Sequence, residues 1–374
     1  MAAEDAPASL SGSDRKFLDA AMDLAERGRF SAAPNPTVGA LLVKDGQVLG
    51  RGYHVRPGSH HGEAAAIADA KARGQLDALR GATAYVSLEP CAFYGRTPPC
   101  CEALAQLGVT RVVGALTDPH PRVAGQGYQY LREAGVQVTA LELPRARRLI
   151  EGYISRVVHE RPFVRLKVAT SLDGRTAMAN GESQWITGPA ARADVQYWRA
   201  RSDAIITGRG TVAADDPAMT VRDDQYAVDG VLRQPLRVVL DSAAALYPEA
   251  KIFSPPEQAL WVHGTAVKGP DSPVETLACG SGPVDLAALL GELARRGCNE
   301  VLVEAGPVLV GQFLNAGLWD EALVYLAPKW LGSTARPLAL LPLDHMAQAI
   351  EATIDATTMV AGDLRISLRP ATDT

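Results

Sequence analysis

His61, Cys91 and Cys100 restrict the fold of this chain more tightly than any stretch of its hydrophobic pattern. One imidazole and two thiolates suit a tetrahedral Zn²⁺ that keeps its fourth position for water. Three side chains so far apart in sequence can share an ion only if each stands at the end of an element aimed at the other two. Glu63, two residues after the histidine, can reach that water without binding the metal. The set points to hydrolytic removal of an amino group from a heterocycle.

The local patterns supply those element ends. Ser13 is placed to cap a helix running to Gly28, with Phe17, Leu18, Ala21, Met22 and Ala25 on its buried face. Residues 38–43 read as a strand, and Asp45-Gly46 as a hairpin turn. The Ala-rich stretch 62–73 reads as a helix, which puts His61 and Glu63 at its start. The strand 82–88 ends at Glu89, Pro90 and Cys91, and Pro98-Pro99 opens a further helix with Cys100 in its first turn. Helix starts present free N–H groups and partial positive charge, which favour thiolate over thiol. Strand 111–116, helix 126–134 and strand 136–141 complete an alternating α/β unit.

The Arg- and Glu-rich residues 142–161 read as a helix broken at Arg161-Pro162. Alternation then restarts, with strands at 163–168, 203–207, 236–240, 259–262, 300–304 and 321–326 and helices at 286–296 and 308–316. The stretch 264–283, rich in Gly, Pro, Ser and Asp, reads as an exposed loop. At 374 residues two domains are expected.

Charge narrows the partners. Residues 1–150 hold 17 Lys and Arg against 15 Asp and Glu, and the remainder 20 against 27. Neither half has the basic stripe that a polyanion requires, so small-molecule substrates are expected and nucleic acid is not. Three of the five cysteines fall between 91 and 101, a pattern for metal rather than disulfides. With no apolar run of membrane length and no secretory pattern in residues 1–13, a cytoplasmic protein without membrane contact is expected.

Longer strings surround these residues. Pro34-Asn35-Pro36-Thr37-Val38-Gly39, His61-Gly62-Glu63, Leu88-Glu89-Pro90-Cys91 and Gly95-Arg96-Thr97-Pro98-Pro99-Cys100-Cys101 resemble the bacterial bifunctional riboflavin-biosynthesis deaminase–reductases. The wide gap between the two zinc cysteines distinguishes that family from cytidine-type deaminases, which use Cys-x-x-Cys. The resemblance continues through Ala169-Thr170-Ser171-Leu172-Asp173-Gly174-Arg175, Gly181-Glu182-Ser183-Gln184-Trp185-Ile186-Thr187, Ala214-Asp215-Asp216-Pro217 and Val303-Glu304-Ala305-Gly306-Pro307.

This resemblance implies an α/β protein of two domains: an N-terminal cytidine-deaminase-like α/β/α zinc domain and a C-terminal dihydrofolate-reductase-like α/β domain. The expected division is a flexible start at 1–13, a deaminase domain at 14–144, a linker helix at 145–162 and a reductase domain at 163–374. The implied chemistry is zinc-dependent deamination of a phosphoribosylated diaminopyrimidine, then NADPH-dependent reduction of the product's ribose to ribitol. A homo-oligomer is expected on the same ground.

Carried over by position, His61, Cys91 and Cys100 bind Zn²⁺ and Glu63 shuttles the proton, while Asn35, His54 and Arg96 hold the pyrimidine or its phosphate. Ala169, Trp185, Thr211, Asp215 and Ser242 match dinucleotide positions. The helix start Gly306, Pro307, Val308, Leu309, Val310, Gly311 and Gln312 can cradle the cofactor's phosphates. Ser183, Arg199, Met219, Arg222 and Glu304 match substrate positions, with Arg199 and Arg222 each able to offer a fork of donors to a phosphate. Lys167 and Glu304 are the candidates for polarising the substrate and relaying a proton; a structural ion pair is the alternative for both.

The chain departs from the family's usual pattern at Ala65, at Ala92-Phe93 and at Asp118-Pro119-His120-Pro121. Phe93, Asp118 and His120 are therefore further candidates for packing around the pyrimidine. Two other readings compete: a deaminase of another base with a non-catalytic C-terminal module, and a structural zinc in a binding protein. Structural sites usually take four protein ligands. Here Cys101 or His60 would have to supply the fourth, and Glu63 would have no role.

Overall fold

A computed structural model describes residues 10–94, 98–121 and 123–371. The chain forms two compact units, Met1–His159 and Glu160–Thr374.

The first unit runs α1 (Gly12–Glu26), β1 (Gly39–Lys44), β2 (Gln47–Tyr53), α2 (Gly62–Ala72), β3 (Thr83–Val86), α3 (Cys100–Gln106), β4 (Arg111–Gly114), α4 (Gln126–Glu133), β5 (Gln137–Ala140), α5 (Pro144–Leu149) and α6 (Glu151–His159). Its sheet has the order β2-β1-β3-β4-β5, with β3, β4 and β5 parallel and β1 antiparallel to both neighbours. Alternate strand residues face two separate cores. Leu41, Val43, Tyr85 and Val113 pack against α1, α5 and α6, whereas Ala40, Leu42, Ala84 and Val112 pack against α2, α3 and α4. That is an α/β/α sandwich.

The N-cap of α1 is Ser11, whose hydroxyl accepts the Asp14 N–H, rather than Ser13. The helix thus includes residues 12 and 13, which the sequence assigned to a flexible start. Asp14 is buried and ties α1 to the sheet, accepting from Tyr85 at 2.8 Å and from both ends of the Arg111 fork at 2.7 and 3.1 Å. These contacts hold its carboxyl well below the usual range. The expected helix over 142–161 is instead two helices, broken at Ile150, where the backbone leaves the helical region. Ala146, Leu149, Ile150 and Tyr153 from this pair lie in the same core as Leu18 and Met22, so the segment is part of the first unit.

The second unit runs β6 (Phe163–Ser171), β7 (Arg175–Ala177), α7 (Pro189–Arg201), β8 (Ala204–Gly208), α8 (Arg209–Asp215), β9 (Leu236–Leu240), β10 (Ala259–His263), β11 (Glu275–Ala278), α9 (Leu286–Arg295), β12 (Glu300–Glu304), α10 (Pro307–Asn315), β13 (Glu321–Ala327), β14 (Arg336–Pro337), β15 (Ala352–Val360) and β16 (Asp363–Pro370). Nine strands form one sheet in the order β11-β10-β9-β8-β12-β6-β13-β16-β15. Seven are parallel, and β16 and β15 close the sheet as an antiparallel hairpin. The stretch expected to be a loop at 264–283 contains β11, a parallel edge strand beside β10.

Strand β12 is inserted between β8 and β6, which precede it in the chain. The chain therefore changes direction across the sheet at this point, and a crevice opens beyond the carboxyl ends of these strands. On β12, Val301 and Val303 face the core containing Leu289, Leu309 and Phe313, while Leu302 faces the core containing Val195, Trp198 and Tyr325.

At the amino ends of β6 and β12 lies a buried charge cluster. Arg165 donates to Glu300 at 2.8 Å and Glu321 at 2.5 Å, and Arg201 of α7 forms a two-bond fork with Glu300 at 2.7 Å. Glu300→Ala leaves two buried guanidiniums short of an anion. It should destabilise this unit by about 3–5 kcal/mol, visible in calorimetry as a lowered transition while that of the first unit stays in place.

Candidate functional site

The three expected ligands of the first unit converge. His61 is the N-cap of α2, Cys91 follows β3, and Cys100 is the first residue of α3. His61 Nδ1 lies 3.5 Å from each of the two Sγ atoms, and all three ligand atoms fall within 4.8 Å of one another. A tetrahedral Zn²⁺ with bonds of about 2.3 Å to sulfur and about 2.0 Å to nitrogen sets such an N···S pair about 3.5 Å apart. The residues fit the ion.

Cys91 accepts the Cys100 backbone N–H at 3.3 Å. The Cys100 thiol, His61 and this N–H hold Cys91 down to about 4, so it is a thiolate at neutral pH. Cys101 turns the other way, into the core with Leu104 and Val112, where burial pushes its thiol up to about 11. Glu63 stands in the first turn of α2, almost wholly buried beside these ligands, and that burial pushes its carboxyl up to about 7.

His54 is buried with its ring perpendicular to that of His61, 5.7 Å away. Its Nδ1 faces the His60 carbonyl and its Nε2 faces the Asn35 amide nitrogen, each at 3.0 Å. A carbonyl only accepts, so Nδ1 carries the proton and Nε2 accepts from Asn35. Burial lowers the His54 pKa, and the ring stays neutral. Arg96 lies outside the described residues. Phe93 is half exposed. Asp118 is buried, its carboxyl pushed up to about 6 by burial, and it accepts the His120 N–H at 2.8 Å.

The sequence singled out Glu89 only as part of a motif, and the structure gives it a task. Its buried carboxylate accepts four backbone N–H groups, from Asp118, Gly125, Gly127 and Tyr128, at 2.8–3.3 Å. The loop carrying Asp118 and His120 is thereby held to the strand end that delivers Cys91. Gly127 is required at this junction, because a Cβ there would lie 1.9 Å from the Pro90 carbonyl oxygen.

In the second unit, the expected residues gather at the carboxyl ends of neighbouring parallel strands. Lys167 and Ala169 are on β6, Thr211 follows β8, Ser242 follows β9, and Glu304 ends β12. Glu304 forms a two-bond fork with Arg199 at 2.6 and 3.1 Å, and Lys167 Nζ stands 3.7 Å away. The Arg199 fork, expected to be open to a phosphate, is thus turned to Glu304, with a further bond to the Thr220 carbonyl at 3.2 Å. Burial opposes ionisation of Glu304, but Arg199 and then Lys167 outweigh it and hold the carboxyl at about 2. Burial lowers the pKa of Lys167.

Arg222 is exposed and its side chain pairs with no described residue. Met219 is buried in the core that contains Trp198. Ser183 is half-buried and Asp215 exposed. Trp185 is exposed, with the Arg192 guanidinium 4.3 Å above its ring and Lys329 donating to its carbonyl at 2.7 Å.

At the start of α10, Gly306, Val308 and Gln312 are exposed, while Leu309 and Val310 are buried. Gly311 serves packing: a Cβ there would lie 2.0 Å from the Leu340 carbonyl oxygen. For a dinucleotide the strand ends offer hydroxyls at Thr211 and Ser242, an open helix start at Gly306, and a buried carboxylate oxygen, Asp241 Oδ1, that has no hydrogen-bond partner among the described residues. These groups fit a cofactor carrying phosphates and ribose hydroxyls.

Residues 11–116 match the cytidine and deoxycytidylate deaminase zinc-binding region, and residues 162–351 match the RibD C-terminal domain. The riboflavin biosynthesis protein RibD of Escherichia coli is 46% identical over 349 residues, covering 90% of this chain and 94% of that protein. The chain belongs to the RibD family. RibD of Haemophilus influenzae is 41% identical, over 96% of this chain and 98% of its own length. The solved RibD of Acinetobacter baumannii superimposes with a TM-score of 0.88 at 41% identity, covering 96% of this chain and 99% of that one. A Thermotoga maritima structure described as a diaminohydroxyphosphoribosylaminopyrimidine deaminase/5-amino-6-(5-phosphoribosylamino)uracil reductase gives a TM-score of 0.87 at 30% identity, covering 96% of this chain and 99% of that one.

As a RibD, the chain is a bifunctional enzyme of riboflavin biosynthesis, with a zinc-dependent deaminase unit and an NADPH-dependent reductase unit of dihydrofolate-reductase-like fold. An idle C-terminal module is not favoured. Cys100→Ala should empty the zinc site, whereas Cys101→Ala should keep about one zinc per chain; metal analysis after dialysis checks both.

Proposed function

We propose that His61, Cys91 and Cys100 hold the zinc ion and that Glu63 moves the proton in deamination of the diaminopyrimidine ribotide. The observation that carries this reading is the 3.5 Å spacing from His61 Nδ1 to both sulfurs, with the Glu63 carboxyl buried beside them. Zinc in this site supplies a Lewis acid that makes water nucleophilic near neutral pH. Glu63, raised to about 7, is matched to accept a proton from the attacking water and pass it to the amine, which leaves as ammonia. Neutral His54 fixes the Asn35 amide, which in this reading turns its remaining polar groups to the pyrimidine. Arg96 is assigned to the substrate phosphate by resemblance. Phe93, Asp118 and His120 are further candidates for packing around the pyrimidine in this reading; the Glu89 carboxylate, which accepts the Asp118 N–H, supports the position of Asp118.

In the second unit, NADPH supplies the hydride that reduces the ribose. Ala169, Trp185, Thr211, Asp215, Ser242 and the α10 start from Gly306 to Gln312 hold it in this reading. Gly311, Leu309 and Val310 contribute by shaping the helix start. Ser183, Met219 and Arg222 take the substrate, with the Arg222 fork on its phosphate. Lys167 gives a proton to the oxygen or nitrogen that gains charge. Glu304, ionised at neutral pH, is a poor acid; it and Arg199 orient Lys167 instead.

Glu63→Gln should retain zinc, lose ammonia release by at least about a hundredfold, and still reduce the deaminated substrate. Lys167→Met should collapse NADPH consumption on that substrate and leave ammonia release intact; near-normal reduction would remove Lys167 from the mechanism. Chelation should stop the first reaction alone. Free thiolate ligands suit a reducing compartment, which supports a cytoplasmic location in this reading.

The expected homo-oligomer has a candidate edge in β15, exposed along eight of its nine residues with Ile354 and Met359 outward. Light scattering of the full chain should give a mass above that of one 39.6 kDa chain.

A further inference from the structure

NADPH differs from NADH by one phosphate on the adenosine ribose, and a site that selects it needs a cation there. The candidate cofactor residues, Ala169, Trp185, Thr211, Asp215, Ser242 and 306–312, include a carboxylate and no cation. The gap is filled at the ends of two adjacent strands. Strands β8 and β9 are parallel neighbours, with Gly208 opposite Leu240. The next residue on each is therefore also side by side: Arg209, two before Thr211, and Asp241, just before Ser242.

Asp241 is 1% exposed, and its Oδ2 accepts the N–H groups of Ala245 at 2.7 Å and Leu246 at 2.8 Å. Its Oδ1 has no hydrogen-bond partner among the described residues. Arg209 Nε stands 3.7 Å from that oxygen, on a side chain 57% exposed. A buried carboxylate oxygen lacking a donor is costly, so closer approach of Nε is favourable. A guanidinium held through Nε still presents its two Nη groups to a second anion. Next to it, the exposed Ser242 hydroxyl accepts the Val284 N–H at 3.3 Å, which leaves its own hydrogen to donate.

We propose that Arg209 binds the ribose phosphate that distinguishes NADPH from NADH, with Asp241 as the positioning residue that aims its guanidinium. This rests on the NADPH reading of the second unit. A carboxylate alone at this place would favour the free ribose hydroxyl of NADH. Arg209 neutralises Asp241 and reverses that preference.

Titration calorimetry of the full chain with 2′,5′-ADP and with 5′-ADP isolates the phosphate in question. The unaltered protein should bind 2′,5′-ADP at least about tenfold more tightly. Arg209→Gln should weaken 2′,5′-ADP by about tenfold or more and leave 5′-ADP within about twofold. The ratio of kcat/KM for NADPH to that for NADH should fall in parallel. Arg209→Lys should recover only part, having charge without the fork. Equal weakening of both nucleotides in Arg209→Gln, or no weakening, overturns the assignment. An unaltered protein indifferent to the phosphate would overturn the NADPH preference itself, and the assignment with it. Asp241→Asn should weaken 2′,5′-ADP a few-fold through a loosened Arg209; unchanged affinity removes Asp241 from the positioning role.

Discussion

Two helix starts and one strand end meet at a single point in the first unit, and the rest of that unit is arranged around the meeting. A thiolate buried among apolar side chains is stable only where N–H groups and partial positive charge face it. The starts of α2 and α3 supply both, and the Cys100 N–H on the Cys91 sulfur is the direct contact. Placing both helices on one face of the sheet requires a β1–β2 hairpin before α2 and a parallel β3–β4 step around α3. Glu89 then uses the strand end a second time. Its carboxylate substitutes for the missing carbonyls at the start of α4 and binds the 117–128 loop to the same point.

The second unit solves a different problem with the same element. Inserting β12 between β8 and β6 brings four strand ends side by side, each followed by a chain turning away. At such a reversal of strand order, connections that leave to opposite faces open a crevice of the kind that takes extended cofactors. Helix α7 is tied to both ends of β12, through Arg201 to Glu300 and through Arg199 to Glu304. The walls of the crevice are thus fixed before any ligand arrives, which lowers the ordering cost of binding.

What the sequence disclosed follows from how far each interaction reaches along the chain. The convergence of His61, Cys91, Cys100 and Glu63 as a candidate site was legible because these residues sit at boundaries marked locally, by Pro98-Pro99 before Cys100 or by the Ala-rich helix after His61. Buried parallel strands such as 236–240 and 300–304 were legible as short apolar runs. The hairpin β15–β16 was not, because β15 is exposed on both faces and carries no alternation. Helix α7 was missed for a related reason: Arg192, Arg199 and Arg201 interrupt its apolar stripe, and only the acceptors they find in space make them part of the unit. Glu89 and the Arg209–Asp241 pair depend on partners that only folding brings near, so no local pattern marks them.

Glu300 and Glu304 lie on one face of one strand, and the difference between them separates structure from chemistry in the second unit. Glu300 is met by two guanidiniums, of which Arg165 also binds Glu321, and the cluster is closed at the amino end of the sheet. Glu304 is met by one guanidinium fork and by an ammonium at 3.7 Å, beyond hydrogen-bond length, at the end where the crevice opens. A lysine has three donors, and among the described residues Lys167 has this one distant partner. Burial weakens its hold on the proton, and the fixed negative charge of Glu304 opposes that loss. Lys167 is thus held near Glu304 by charge without being tied by a short hydrogen bond, which a closed cluster of the Glu300 kind does not allow.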